Sequence, residues 1–210
     1  MTEIIAIAAI LIVAWFAAGT TWNIRRGRLL MHWMQDGLPV LGERTSVRWL
    51  GSTAVELAIR AGNAPFDGIT LVIFLEARDI PWMWAFGRVG GRRDILIIRG
   101  VLRRVPQLEF EALDKASWSG REALPRLPVE WSAHQIADMG DVSVYCTEAS
   151  AAARAGALLA ETSRVGMEVK RLSVRLAEPH FQMHVALPDQ THPARAFFEA
   201  VQRIAERALE

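Results

Sequence analysis

The stretch that decides the architecture is residues 4–24, which read IIAIAAILIVAWFAAGTTWNI. These 21 residues carry no charged side chain, and as a helix they reach about 31 Å, enough to cross a bilayer. A helix that is apolar on every face must be buried all round, which a soluble domain of this size rarely achieves. The stretch therefore predicts a transmembrane helix.

The charges that flank this stretch predict its direction. Glu3 precedes it, whereas Arg25, Arg26 and Arg28 follow it. Because basic residues stay on the cytoplasmic side, we expect a single-pass protein of the cell membrane with its N-terminus outside and the rest in the cytoplasm. A cleaved signal peptide is the alternative, but it needs basic residues before the apolar stretch as well as a small-residue cleavage site such as 17–19.

Aromatic and basic side chains near the end of the stretch suit the membrane interface. Indole rings settle at the level of the lipid headgroups, and arginines remain in the aqueous phase. The helical pattern continues to Gln35, until Gly37 and Pro39 end it, so we assign residues 1–36 to the anchor and a juxtamembrane helix. The predicted anchor and interface residues are Trp15, Trp22, Arg25, Arg26 and Arg28.

Composition excludes two broad classes of protein. The net charge is +1, which lacks the basic excess of a nucleic-acid binder, so we expect no nucleic-acid partner. Cys146 is the only cysteine, so an intramolecular disulfide is impossible and the chain is not a disulfide-stapled secreted scaffold. At the end of an apolar stretch, Cys146 is expected to be a small buried residue rather than a catalytic thiol.

Beyond Pro39 the pattern changes to short apolar runs with period-two alternation, which is typical of β-strands. In residues 43–126 this pattern predicts strands at 47–49, 55–59, 69–75, 95–102 and 108–113, with a helix at 80–89. In residues 127–210 it predicts strands at 129–131, 142–145, 169–176 and 181–187, with a turn at 139–141. Helices are expected from Thr147 to just before Gly166 and from near Thr191 to the end, each threonine capping its helix.

The two stretches read as variants of one ββαββ plan, and strands with a single intervening helix imply antiparallel pairing. The shared landmarks are few, so they fit either an internal duplication or coincidence. The predicted fold class is α+β: an N-terminal transmembrane helix, then a soluble domain of mainly antiparallel sheet with two or three helices. Its predicted units are residues 43–126 and 127–210.

The segment 80–93 is the most unusual one outside the anchor, because it has two tryptophans and one phenylalanine within five residues, followed by three arginines. Such a segment suits a lipid interface or a protein partner, although Trp82 and Phe86, at i and i+4, can also pack onto the sheet. Its glycines follow a helix and precede a strand, so Gly90 or Gly91 is expected to cap the helix rather than to hold a phosphate. The predicted partner or headgroup-binding residues are Trp82, Trp84, Arg88, Arg92 and Arg93.

Histidines of the C-terminal half offer a possible metal site. His180, His184 and His192 lie near Asp189, but strand residues four apart are about 13 Å apart along the backbone. We therefore favour surface polar residues there and predict neither a metal nor a cofactor. His32 lacks a partner histidine nearby in the sequence and is expected to be structural or solvated.

These features favour a membrane-tethered cytoplasmic module that binds a partner and is not an enzyme. It would serve as an accessory subunit or assembly factor of a membrane complex, with the bilayer and a membrane protein or a second copy of the chain as partners. The first alternative is a membrane-surface enzyme or a phosphate or lipid-headgroup binder that uses segment 80–93. The second is a metal or cofactor protein that uses His180, His184 or His192.

Overall fold

The structure is a computed structural model and describes residues 1–136 and 141–210. An apolar helix at the N-terminal end leads into a domain in which nine strands, counted over those residues, form one antiparallel sheet with several helices. The predicted α+β fold class is therefore confirmed. The positions of the individual elements agree less uniformly with the prediction.

The first helix, α1, runs from Thr2 to Gln35 and ends where the sequence predicts. It is long and apolar enough to cross a membrane, a property that signal sequences share. A single helical turn, α2 (Leu38–Leu41), follows it directly. Pro39 lies in the first turn of α2, where the missing N–H of proline has no helical partner to lose.

The first half of the domain contains the predicted elements in the predicted order. In β3, Ile69, Leu71 and Ile73 are buried and the residues between them are not, which is the period of a strand with one covered face. An additional short helix begins after Ser117, whose hydroxyl accepts a hydrogen bond from the Gly120 N–H. The elements are β1 (Thr45–Trp49), β2 (Ala54–Ile59), β3 (Phe66–Phe74), α3 (Pro81–Val89), β4 (Ile95–Leu102), β5 (Phe110–Asp114) and α4 (Trp118–Ala123).

The second half departs from the prediction at its element boundaries. The strand predicted at 129–131 is wrong, because β6 begins only at Ser132, and the predicted turn at 139–141 lies outside the described residues except for Asp141. The elements are β6 (Ser132–Gln135), β7 (Val142–Cys146), α5 (Ala149–Arg164), β8 (Val169–Val174), β9 (Phe181–Ala186) and α6 (Ala194–Arg207).

Both predicted threonine caps are wrong. Glu148 and Pro193 occupy the cap positions of α5 and α6, and neither side chain accepts a capping hydrogen bond. Thr191 instead donates its N–H to the Asp189 carboxylate at 3.1 Å, which closes a turn two residues before the helix begins. A local side-chain to backbone bond thus takes the place of the expected cap.

The sheet joins the two halves of the chain. Its strand order is β1-β2-β3-β4-β9-β8-β5-β7-β6, and every pair among the described residues is antiparallel. Strand β5 of residues 43–126 lies between β8 and β7 of residues 127–210. The duplication stays a prediction, and the described parts of the two halves differ: β3 and β4 pair directly across α3, whereas β5 separates β7 from β8.

The core covers one face of the sheet. There, strand residues such as Leu71 and Met183 pack in one buried cluster with Leu30 of α1, Leu158 of α5 and Phe198 of α6. On the opposite face a smaller cluster forms beneath α4 and the segment after it, and it contains Leu113, Ala123, Trp131 and Tyr145. The face covered by α1, α5 and α6 therefore positions the apolar helix on the domain.

Candidate functional site: the junction of the apolar helix with the domain

The part of α1 that follows the apolar stretch is docked on the domain. Its buried residues recur on one side of the helix at intervals of three or four: Gly19, Asn23, Gly27, Leu30 and Met34. Residues 1–18 are exposed throughout. The helix thus has a free half, residues 2–18, which is about 25 Å long and from which the Trp15 side chain reaches the domain, and a docked half, residues 19–35.

Docking begins with a close approach of helix to backbone at Gly19. A Cβ atom at this position would overlap with the carbonyl group of Arg78, so a side chain is excluded. One turn earlier, the indole Nε1 of Trp15 donates to the same carbonyl oxygen at 2.9 Å. The segment that follows β3 is therefore held against the helix by both shape and a hydrogen bond.

A polar cluster continues the contact toward the C-terminal end of α1. The Asn23 amide donates to the Glu76 carbonyl oxygen at 3.0 Å and accepts from the Arg78 guanidinium at 3.3 Å. The Asp94 carboxylate accepts two bonds from Arg78, both 2.9 Å, one from the Glu76 N–H at 2.8 Å and one from Arg26 Nε at 2.8 Å. We call Asn23, Arg26, Glu76, Arg78 and Asp94 the junction cluster.

The junction cluster is largely buried, so separating its charges costs more free energy than it would at the surface. Asn23, Glu76 and Asp94 are buried, and the Arg78 side chain is only 20% exposed. A charge left without its partner in such a place costs roughly 3 to 5 kcal/mol. The cluster therefore favours one register of α1, because sliding the helix along the domain would separate Arg26 from Asp94 and Asn23 from Arg78.

Helix α3 is attached to the same cluster. The indole Nε1 of Trp84 donates to the Glu76 carboxylate at 2.6 Å, and Arg88 pairs with that carboxylate at 3.3 Å. The rings of Trp84 and Trp15 lie 6.2 Å apart. Helix α3 therefore lies beside α1 at the level of Trp15.

The opposite side of α3 is apolar and exposed. Trp82 is 55% exposed, Phe86 76% and Val89 89%, with Met83 exposed between them. The alternative that Trp82 and Phe86 pack onto the sheet is therefore wrong, because it is Trp84, two residues after Trp82, that turns toward the domain. We call Trp82, Met83, Phe86 and Val89 the α3 stripe.

The three arginines predicted to bind a headgroup are brought near α3 but do not converge. Arg88 pairs with Glu76, whereas the Arg92 guanidinium lies over the rings of Phe74 at 5.0 Å and Trp118 at 4.6 Å. Arg93 donates to the carbonyl oxygens of Arg88 and Arg92. Their charges therefore contribute mainly to the local fold.

The glycines of this segment end α3 as the sequence predicts. Gly90 is the C-cap residue, and Gly91 adopts a φ of +75°, which favours glycine. Arg121 donates to the Gly90 carbonyl oxygen at 2.5 Å. The glycine-rich segment thus closes a helix.

The predicted anchor residues occupy two different environments. Trp22, Arg25 and Arg28 are exposed, and Trp22 and Arg25 line a groove between α1 and residues 187–190. Trp15 bonds to the Arg78 carbonyl, and Arg26 pairs with Asp94, so both of these side chains contact the domain. The interfacial roles of all five stay predictions.

The histidines of β9 are buried, so the surface-polar assignment of His180 and His184 is wrong. The Nδ1 atom of His180 accepts from the Leu102 N–H at 3.1 Å, and Nδ1 of His184 lies 2.5 Å from the Ser119 hydroxyl. Burial, together with the charges of Arg171 and Arg99, lowers the pKa of His184 to about 3. His184 is therefore neutral at physiological pH and a weak base, and beside Ser119 it holds α4 on the sheet.

The other predicted candidates are structural or solvated. The main-chain oxygen of His192 accepts from Trp33 Nε1 at 2.7 Å, and His32 lies on the exposed side of α1. Within residues 1–136 and 141–210, groups of three or more His, Cys, Asp or Glu placed to hold a metal are absent. Cys146 is buried as predicted, and burial raises the pKa of its thiol.

Sequence reasoning missed most of the junction cluster. Glu76 and Asp94 lie at the ends of the apolar strands β3 and β4, and each reads as an ordinary charged residue of a turn. The sequence of α1 contained a weak signal, because small or polar residues, Gly19, Asn23 and Gly27, recur in it at intervals of four. Small and polar residues on one side of an apolar helix mark the side that contacts protein.

Comparison with known proteins adds no further information about this site. A scan against protein-family models and a search of the curated proteins found no match to the chain. The junction and the α3 stripe are therefore interpreted from their own geometry.

The close approach at Gly19 predicts a specific loss of stability. Gly19→Ala should lower the free energy of unfolding by roughly 1 to 3 kcal/mol, because the new Cβ would press against backbone that cannot move aside. The measurement is denaturant unfolding of the full chain in detergent micelles, followed by tryptophan fluorescence.

Gly156→Ala in α5 is the matched control for this experiment. Among the residues that the structure describes, its Cβ would meet the side chain of Ile136 at 3.2 Å and no backbone, and alanine is favoured over glycine in a helix by up to about 1 kcal/mol. Equal effects of the two substitutions would contradict the docked arrangement of α1.

Buried His184 predicts a pH dependence of stability. Its pKa is about 3 in the folded chain against 6.5 when exposed, so the unfolded chain binds the proton first as the pH falls. This contribution to stability is complete above pH 6.5 and declines by roughly 1.4 kcal/mol per pH unit below it. In denaturant unfolding curves measured over a range of pH, His184→Gln should reduce that decline. The exposed control His32→Gln should leave the decline unchanged. An unchanged decline in His184→Gln would refute the conclusion that buried His184 causes it.

Proposed function

We propose that the chain is a single-pass protein of the cell membrane whose cytoplasmic domain is a non-enzymatic binding module. In this proposal residues 4–24 span the bilayer, Glu3 lies outside, and Arg25, Arg26 and Arg28 keep the domain inside. The module would act as an accessory subunit or assembly factor of a membrane complex. Its partner would be a membrane protein or a second copy of the chain.

The observation that carries the proposal is the continuity of α1. One unbroken helix includes the apolar stretch and the docked half, and Gly19 and the junction cluster hold it on the sheet. A flexible linker would be enough to keep a domain near a membrane. A rigid junction additionally determines the orientation of the domain relative to the membrane. This orientation matters when one surface of the domain must contact a partner in the same membrane.

The polar groups of the junction support a structural rather than a chemical role. Asp94 accepts four hydrogen bonds or ion pairs from within the chain, and the Glu76 carboxylate is shared by Trp84 and Arg88. Groups that satisfy one another in this way are poor candidates to bind or activate a substrate. The engagement of Arg88, Arg92 and Arg93 likewise favours a module over a phosphate-binding enzyme.

An edge of the sheet offers a surface for the partner. Strand β1 ends the sheet, and Val47, Trp49 and Leu50 on and after it are exposed. Trp49 also packs near Gly27 of α1, which places this edge beside the docked half of the helix. An exposed edge strand with apolar side chains can accept a strand from another chain.

The proposed topology can be tested by labelling single cysteines in intact cells. Cys146 is buried, so a maleimide that cannot cross membranes should report only on introduced residues. Val129→Cys, at a fully exposed position of the domain, should react only after the membrane is permeabilised, and Thr2→Cys should react without permeabilisation. The reverse pattern would overturn the orientation.

The binding role can be tested by sizing the chain after mild detergent extraction from its native membrane. The wild-type chain should elute in a complex larger than a micelle with one 23.4 kDa chain. Val47→Asp should break this complex, because a charge on the β1 edge opposes an apolar partner, whereas Val129→Asp at another exposed valine should preserve it. A wild-type chain that elutes as a monomer would contradict the proposed module.

A further inference from the structure

We propose that α3 is a second membrane contact, with the α3 stripe embedded in the cytoplasmic leaflet beside α1. The occupant of this exposed apolar surface is the lipid bilayer. The inference rests on the proposed span of residues 4–24 and adds to it a depth and an orientation for the domain.

Helix α3 lies level with Trp15 of α1. Trp84 of α3 lies 6.2 Å from the ring of Trp15, and Trp15 donates to the carbonyl oxygen of Arg78, three residues before α3 begins. Trp15 is nine residues before Ile24, the last residue of the apolar stretch, which is about 14 Å along the helix axis. Helix α3 is thus attached inside the apolar stretch rather than beyond its end.

The second step is the length that a bilayer requires. A hydrocarbon core of about 30 Å takes about 20 helical residues. The free half of α1, residues 2–18, supplies only about 25 Å. A span that begins near Ile4 therefore reaches the docked half, and the part of the domain at the level of Trp15 lies within the leaflet.

The third step is the chemistry that the domain shows at this level. The stripe consists of Trp82, Met83, Phe86 and Val89, and Pro81–Val89 contains no acidic residue. The side chains of the stripe carry no charge, so they can contact acyl chains. The exposed surface of α3 is therefore suited to lipid.

The charges at the same level are compatible with this position. Arg78 and Asp94 pair with each other between α1 and the domain, which removes them from lipid. Arg88 pairs with Glu76, and Arg93 donates to the carbonyl oxygens of Arg88 and Arg92, so both guanidinium groups have partners within the chain.

The depth of α3 can be measured by quenching with spin-labelled lipid. The full chain is labelled with an environment-sensitive dye at Val89→Cys and reconstituted into nanodiscs that contain phospholipid with a nitroxide near the start of the acyl chain. Val129→Cys is the matched control, because both positions are highly exposed valines, and the buried native Cys146 adds little background. Leu11→Cys reports on the span itself.

We expect quenching at Val89→Cys to be several-fold stronger than at Val129→Cys, and strong quenching at Leu11→Cys. Phe86→Cys, a second position in the stripe, should repeat the result if the first substitution disturbs folding. This proposal would be overturned, and the span left intact, by one outcome: Leu11→Cys is quenched, but neither α3 position is quenched more than Val129→Cys. An unquenched Leu11→Cys would overturn the span and, with it, the inference.

Discussion

The contact between Gly19 and the backbone of Arg78 is the constraint on which the rest of the arrangement depends. The absence of a Cβ lets the helix reach the carbonyl group, and Trp15 and Asn23 donate hydrogen bonds to the carbonyl oxygens of Arg78 and Glu76. These carbonyls belong to the chain as it leaves β3, where partners within the sheet are no longer available. The helix therefore satisfies backbone groups that would be costly to bury alone.

Charge pairing makes this contact specific to one register. Asp94 receives Arg26 from α1 and Arg78 from the domain, so a single carboxylate neutralises groups on both sides of the junction. A shift of α1 by one turn would separate Arg26 from Asp94, and Asn23 from Arg78 and from the Glu76 carbonyl group. The junction thus behaves as a rigid connection, and the direction of the apolar helix determines the direction of the β1 edge and of α3.

The elements that were predicted correctly are those that local sequence patterns determine. Strands β3 and β4 and helix α5 were predicted well, because long stretches with a single period and clear turn residues leave little choice. Helix α4 was missed because six residues carry too short a pattern. The caps at Thr147 and Thr191 failed for a similar reason, since a capping residue competes with turns formed by its immediate neighbours, as Asp189 shows.

The sequence by itself determined the class of the protein: an apolar helix long enough to span a bilayer, the asymmetry of charge around it, and an α+β domain of antiparallel strands. These are local properties, since periodicity and composition are expressed within one element. Only the tertiary structure decided that Asn23 meets Glu76, 53 residues away, that β5 lies between β7 and β8, and which side of α3 is exposed. Such pairings depend on packing between distant segments, which periodicity within a single segment does not encode.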